Sequence, residues 1–490
     1  MRAPSFQFTL YKERGIGMKK GLVSALTTLV SLAVLSAGAL AQQAAPPSSK
    51  SSHMRKKTAP PQPSRPSART SRDATLLDFE LATAEAAACV VDPARELFIT
   101  NVSVVDDCFR TTWFGACPPP VLPATRGAWT FGKLVEGIFG TNNPAILHNE
   151  VQRWLNEWNF NRVINGELVP ARPQVQNLVI NPWLAASGGV QLDMRRAPFR
   201  LLAIVSRLDL RQPPAAPGGQ NAGEGRFVFG LLDPNGNPTE YLLILEYGLD
   251  GDCNGVLAWA NQWHNLGTIP FGPNFNAALQ AITDQFTRIG ASPGKPNGSA
   301  LNQARTDDFF LARPWELREF TLQGGGLPAQ LLMTTVAQTP ANVHQNTPGL
   351  ANYVNVNTPA ILAANYTVPL NWGAGTFRGG ASTHVLNFDW DGPPPPCTSI
   401  VNANARHEFS LNTCNGCHGA ETNTIFKHVE PRLAGVPSVL SGFLTGIGTV
   451  DMCGAPRPFN DLARRQVDLC NLLAMTCPQV NAEAPIDFVH

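Results

Sequence analysis

The residues best equipped for chemistry in this 490-residue chain are Cys414-Asn415-Gly416-Cys417-His418, two thiols three positions apart with an imidazole directly after the second. This is the c-type haem attachment signal. Two thioether bonds fix the porphyrin edge to one short turn, and the adjacent histidine then reaches the iron from one face. One covalent haem c is the cofactor that follows. A CxxC can also be a dithiol redox pair or half of a zinc site. Zinc would want a second CxxC or HxxxH pair, which the sequence lacks, and a thioredoxin-like site would want a βαβ context, whereas Ala405 to Leu411 reads as a short helix leading into the motif.

Beyond His418 the chain reaches Pro431-Arg432-Leu433-Ala434-Gly435. CxxCH followed by Pro-x-Leu-x-Gly resembles the class I c-type cytochromes, and the resemblance covers residues 400–490. It implies a small all-α haem domain in which Cys414 and Cys417 are the thioether anchors, His418 is the proximal iron ligand, and the Pro431 carbonyl accepts the other ring N–H of His418. The chain departs from the family at the distal ligand. Met452 falls shortly before the terminal helix, where the family's methionine stands. His428 is the alternative, in a loop that in the family pattern wraps the proximal side. An open sixth position would instead suit a haem enzyme of the peroxidase or oxygenase type. The string Arg406 to Thr413, with Glu421-Thr422 after the motif, is also similar to uncharacterised exported bacterial proteins, a likeness that implies no activity.

The elements that must carry this motif lie mostly upstream. Residues 73–391 read as a large α+β domain of unknown role. Phe199–Val205, Arg226–Leu232 and Tyr241–Tyr247 have strand character, with Asp233-Pro234-Asn235-Gly236-Asn237 as a hairpin turn between the last two. Helices are expected from Asn143-Pro144, with Leu147, Val151, Trp154, Leu155 and Trp158 on one face, and from Asn276 to a stop at Gly290. The tryptophans at helical spacing read as core. Arg207–Arg211 and Arg313–Arg318 alternate charge with apolar residues and read as strand edges with paired charges. His148, His264 and His384 stand beside polar groups, but no nucleophile elbow, metalloprotease helix or phosphate loop accompanies them, so no catalytic residue is named. Gly392 to Pro396 opens a stiff, extended hinge over 392–399. The haem domain follows, with short helix Val439–Leu444 and a terminal helix from about Asn460.

Export is written at the other end. Met18-Lys19-Lys20 is a better start than Met1, Leu22–Leu35 is an apolar core, and Ala39-Leu40-Ala41 is a cleavage site, so residues 1–41 are an export signal and the mature chain starts at Gln42. No later apolar run is long enough to span a membrane. Residues 42–72 are a basic Pro/Ser-rich linker with a possible peripheral contact to an anionic surface. Residues 1–72 hold 12 Lys/Arg against one acid, leaving 25 basic and 35 acidic residues in the remainder. An acidic body excludes a nucleic-acid partner and suits a cationic one. Of ten cysteines, the eight outside the motif, Cys89, Cys108, Cys117, Cys253, Cys397, Cys453, Cys470 and Cys477, allow four disulfides in an extracytoplasmic, periplasmic or secreted, protein. The functional expectation is an exported monohaem cytochrome passing single electrons to an unidentified redox partner protein, the large domain binding or docking. The rival is a disulfide-stapled binding or surface protein without haem.

Overall fold

In the computed structural model, residues 89–119, 125–216, 219–324, 326, 328–385 and 388–483 are described. The export signal and basic linker lie outside them. The centre is an antiparallel sheet whose eight strands are β1 (Phe98–Ile99), β2 (Phe199–Arg207), β3 (Asn221–Leu232), β4 (Pro238–Asp250), β5 (Leu301–Asp308), β6 (Trp315–Gln323), β7 (Gln330–Thr334) and β8 (Ser382–His384). Strands β1 to β6 lie side by side in chain order, and β7 and β8 share the far edge of β6. The expected hairpin is present: Asp233 Oδ1 accepts from the amides of Asn235 and Asn237, closing the turn between β3 and β4.

One face of the sheet is apolar and covered by helices. These are α1 (Phe131–Phe139), α2 (Pro144–Leu155), α3 (Cys253–Asn265) and α4 (Pro273–Thr287). Asn143 caps α2 through the Ala145 amide and Pro144 fills its first position, as the sequence predicts. Helix α4 starts three residues before Asn276, with Pro273 at its head, and stops at Thr287. Trp154 and Trp158 are core residues, their rings edge to face at 5.4 Å and both against Phe320 of β6.

The opposite face follows the same period-2 rule but sets charges among apolar residues: Arg207 on β2, Glu224 and Arg226 on β3, Glu246 on β4, Arg305 and Asp307 on β5, Glu319 on β6. All are buried. They pair along and across the strands, Arg226 with Glu224 of its own strand at 2.7 Å and with Glu246 at 3.4 Å, Arg305 with Glu246 at 3.3 Å and Glu319 at 3.2 Å. Arg207, Asp209, Arg211, Glu316 and Arg318 are indeed paired, but they sit inside the protein and not on an exposed edge, whereas Arg313 is exposed and lies over the Phe309 ring.

What covers this face corrects the expected domain plan. Residues 400–483 do not form a separate all-α domain; they pack on the charged face of the sheet. Their helices are α5 (Ala403–Leu411), α6 (Cys414–Cys417), α7 (Gly442–Thr445), α8 (Asp461–Ala474) and α9 (Cys477–Ala482), and between α7 and α8 stands a hairpin of β9 (Ile447–Val450) and β10 (Pro456–Phe459). Val429, Phe443, Leu444, Leu469 and Leu472 belong to the same apolar core as β2 to β5. So short a set of helices closes no core alone and buries its apolar faces against the sheet instead. Arg432 reaches Asp106 at 2.7 Å and the Leu201 carbonyl at 2.7 Å, and Arg211 reaches Asp468 and Glu483 at 2.7 Å each. The residues from 392 to 399 are bends and turns, not an extended hinge, and the Asp391 carboxylate holds the Cys397 amide at 2.7 Å.

All eight cysteines set aside for disulfides pair, as Cys89–Cys470, Cys108–Cys117, Cys253–Cys477 and Cys397–Cys453. Four such bonds belong to an oxidising, extracytoplasmic compartment. Among the described residues no helix is long and apolar enough to cross a membrane.

Candidate functional site

The two cysteines without a disulfide are Cys414 and Cys417, both buried. They begin and end α6, whose N-cap Thr413 takes the Gly416 amide at 3.1 Å. The residues between them are locked. Asn415 accepts from the Trp390 indole at 2.8 Å and donates to Asn342 at 3.0 Å, while Thr339 Oγ1 accepts from the Cys414 amide at 3.0 Å. Gly416 is required by close approach, because a Cβ there would stand 2.0 Å from the Ser410 carbonyl oxygen.

His418 follows with its ring stacked on Trp315 of β6, centroids 5.2 Å apart. Its Nδ1 lies 2.6 Å from the Phe426 carbonyl oxygen. With the proton on Nδ1 and donated to that carbonyl, Nε2 keeps its lone pair. Burial, then the neighbouring His428, hold His418 well below the usual histidine range, so the ring is neutral. The Phe426 carbonyl thus occupies the role expected of Pro431. Asp307 stands at 3.5 Å from Nδ1 and accepts from the Trp315 indole at 2.7 Å. Burial pushes its carboxyl up to about 7, against the pull of Lys427 and the indole bond.

Cys414 and His418 open onto a cavity of about 100 Å³ between the sheet and the C-terminal segment. Phe98, Val205, Val228, Ile244, Phe443 and Leu444 give it apolar walls; Arg207, Arg226, Arg305 and Arg465 add four guanidinium groups. His428 lines it too, with its ring 4.5 Å from that of His418. Its Nε2 is 3.2 Å from Cys417 Sγ and its Nδ1 2.8 Å from Ser441 Oγ. Burial raises both thiols, Cys414 to about 11 and Cys417 further. Met452 lies in the turn between β9 and β10, next to the Cys397–Cys453 disulfide, and is not among the cavity-lining residues. The fold therefore brings together Cys414, Cys417, His418 and His428, and leaves Pro431 and Met452 apart from them.

The donor set fits a haem c in its chemistry: two thiols left out of the disulfides, an imidazole oriented through Nδ1 with Nε2 spare, and apolar walls beside them. Behind it, Glu421 anchors the turn after the motif. Its carboxylate takes Arg406 at 2.7 and 2.9 Å and also His407 Nδ1. Burial opposes its ionisation, but the bonds from His407 and Arg406 outweigh that and hold it down at about 2. His407, Glu421 and Asp451 cluster within 4.8 Å, yet their oxygens are committed to Arg406, Arg457 and the amides of Cys453 and Ala455, so the cluster is an ion-pair network and not a cation site.

The sequence reading missed Asp307, Trp315, the Phe426 carbonyl and the four arginines. A signal existed for the arginines: Arg226 and Val228, like Arg305 and Asp307, are two apart on strands whose other face is apolar. Of the lone histidines, His264 pairs with Glu96 at 2.7 Å and His148 accepts the Leu192 amide at 3.1 Å, both far from this site in role, while His384 packs on Trp315 at 4.6 Å. Compared with protein-family models, curated proteins and solved structures, the chain matches none.

Proposed function

We propose that this is an exported, monohaem c-type cytochrome protein of the periplasm or cell surface, which carries single electrons to or from a partner protein. The observation that supports the reading is the opening of the CxxCH turn onto an arginine-bearing apolar cavity, in a chain whose other cysteines are all spent in disulfides. Cys414 and Cys417 would hold the haem, His418 would ligate it through Nε2, and bound haem supplies reversible one-electron chemistry. The protein's own work is positional. The Phe426 carbonyl orients the imidazole, Trp315 fixes its plane, and the cavity walls exclude water. The large sheet is then no separate docking module but half of the haem pocket.

A cysteine nucleophile is the competing reading, since the row Cys417, His428, Ser441 has the spacing of an activated thiol. It is disfavoured because Cys417 is fully buried and burial holds its thiol protonated. The test is a haem-stained denaturing gel with a visible spectrum, on protein exported from a host that attaches haem c. Covalent haem on the wild type and none on Cys414→Ser/Cys417→Ser is expected. A colourless wild-type chain overturns the reading. Indifference of the reduced protein to carbon monoxide separates a six-coordinate carrier from an open-site haem enzyme.

A further inference from the structure

The cavity contains a guanidinium that the fold leaves under-used. Arg465, on α8, lines the cavity with its side chain 4% exposed. Its Nη2 stands 2.5 Å from Asp461 and its Nε 3.9 Å from Asp209, but Nε and Nη1 are buried and donate no hydrogen bond, and Nη1 has no carboxylate partner among the described residues. Buried donors without acceptors are rare and costly, so such a pair marks a place where an acceptor belongs. Arg207, fully buried beside it, gives Nε and Nη2 to Asp209 at 2.9 and 3.1 Å. Burial, reinforced by the positive charge of Arg465, depresses Arg207 to about 9 even though Asp209 and Asp461 pull it the other way.

The rest of the wall limits what the acceptor can be. Phe98, Val205, Val228 and Phe443 demand an apolar body, so the anion must be a small appendage on it. We propose that Arg465, backed by Arg207, is the carboxylate anchor of the cavity, and that the carboxylate it holds is a propionate side chain of the haem. The assignment rests on the haem reading above. A charge-assisted bond inside a water-poor cavity contributes about tenfold or more to affinity.

The test uses the full chain with Cys414→Ser/Cys417→Ser, so that uptake is non-covalent and can be titrated by Soret absorbance. Hemin is compared with hemin dimethyl ester, which keeps the ring and iron but carries no charged carboxylate. Hemin should bind at least about tenfold more tightly, and Arg465→Met should abolish that preference while leaving the ester's affinity unchanged. The hemin–ester comparison needs no arginine variant and stands even if Arg465→Met fails to fold. Equal affinities, or no hemin uptake by a chain that carries covalent haem once its cysteines are restored, overturn the anchor and leave attachment standing. No uptake and no covalent haem overturn both. Succinate that raises the melting temperature of the wild type through Arg465, with no hemin uptake, assigns the site to a free carboxylic acid and overturns the propionate.

Discussion

Replacing Glu421 with glutamine should loosen the attachment turn and erase an acid-sensitive part of the stability. Arg406 and Glu421 are both fully buried and joined by two bonds at 2.7 and 2.9 Å. Removing one partner of such a pair leaves an uncompensated buried charge, typically about 3–5 kcal/mol. An independent route gives the same scale. The Glu421 carboxyl is held at about 2 against an ordinary 4.5, and at ~1.4 kcal/mol per pH unit that interval corresponds to roughly 3 kcal/mol. Asp389, whose carboxyl is pushed up to about 7 by burial and by Glu421, ionises more readily once Glu421 is neutral and offsets part of the loss, which favours the lower figure. The sign is fixed by linkage: with the folded value below the unfolded one, the contribution is complete above pH ~4.5 and disappears as pH falls through ~2. Urea titrations followed by tryptophan fluorescence under non-reducing conditions should show Glu421→Gln about 3 kcal/mol less stable at pH 7, with the gap to wild type closing toward pH 2. A gap below about 1 kcal/mol at pH 7, or one that stays constant with pH, refutes the reasoning.

Other substitutions probe the same region. Gly416→Ala puts a Cβ 2.0 Å from a backbone oxygen and should cost roughly 1–3 kcal/mol or more, with reduced haem loading on a stained gel. His428, not Met452, lines the cavity beside His418, so oxidised holoprotein should lack the near-infrared sulfur-to-iron band, His428→Ala should open the reduced iron to carbon monoxide, and Met452→Ala should leave the spectrum unchanged. Cys89→Ser/Cys470→Ser removes a link across 381 residues and should lower stability by about 2–5 kcal/mol in a chemical melt.

Local signals were legible in the sequence and long-range ones were not. The Asn143-Pro144 helix start, the Asp233 turn and the even set of eight cysteines each depend on a few neighbouring residues or on a count, and the structure contains all three. The packing of residues 400–483 on the sheet depends on which of two apolar surfaces finds a partner, and nothing within α8 states that it will lie against α3 and the turn at Leu208–Leu210. The same holds inside the site. Cys414, Cys417 and His418 announce themselves by spacing, whereas Trp315 and Arg207 come to the histidine and the cavity only through the order of the strands. Pro431 was expected from a family pattern in which the loop after the motif is built differently; here the chain turns back at Phe426, and the nearest carbonyl in that turn takes the imidazole proton.

The burial of the two thiols sets a timetable for biogenesis. In the finished molecule Cys414 and Cys417 are both buried, and Cys417 has Asp461 and Arg465 of α8 beside it. Helix α8 is fastened to Cys89, the first described residue, and α9 to Cys253 of α3. Whatever enzyme modifies the motif must therefore act on a chain still open, before the oxidants of the compartment join Cys89 to Cys470. Thiol trapping during export would show that order as a haem-bearing species in which Cys470 is still reduced, and a species oxidised at Cys470 yet still accepting haem would contradict it. On the haem reading, a cell that oxidises this protein too early should accumulate a stable, correctly cross-linked chain without covalent haem.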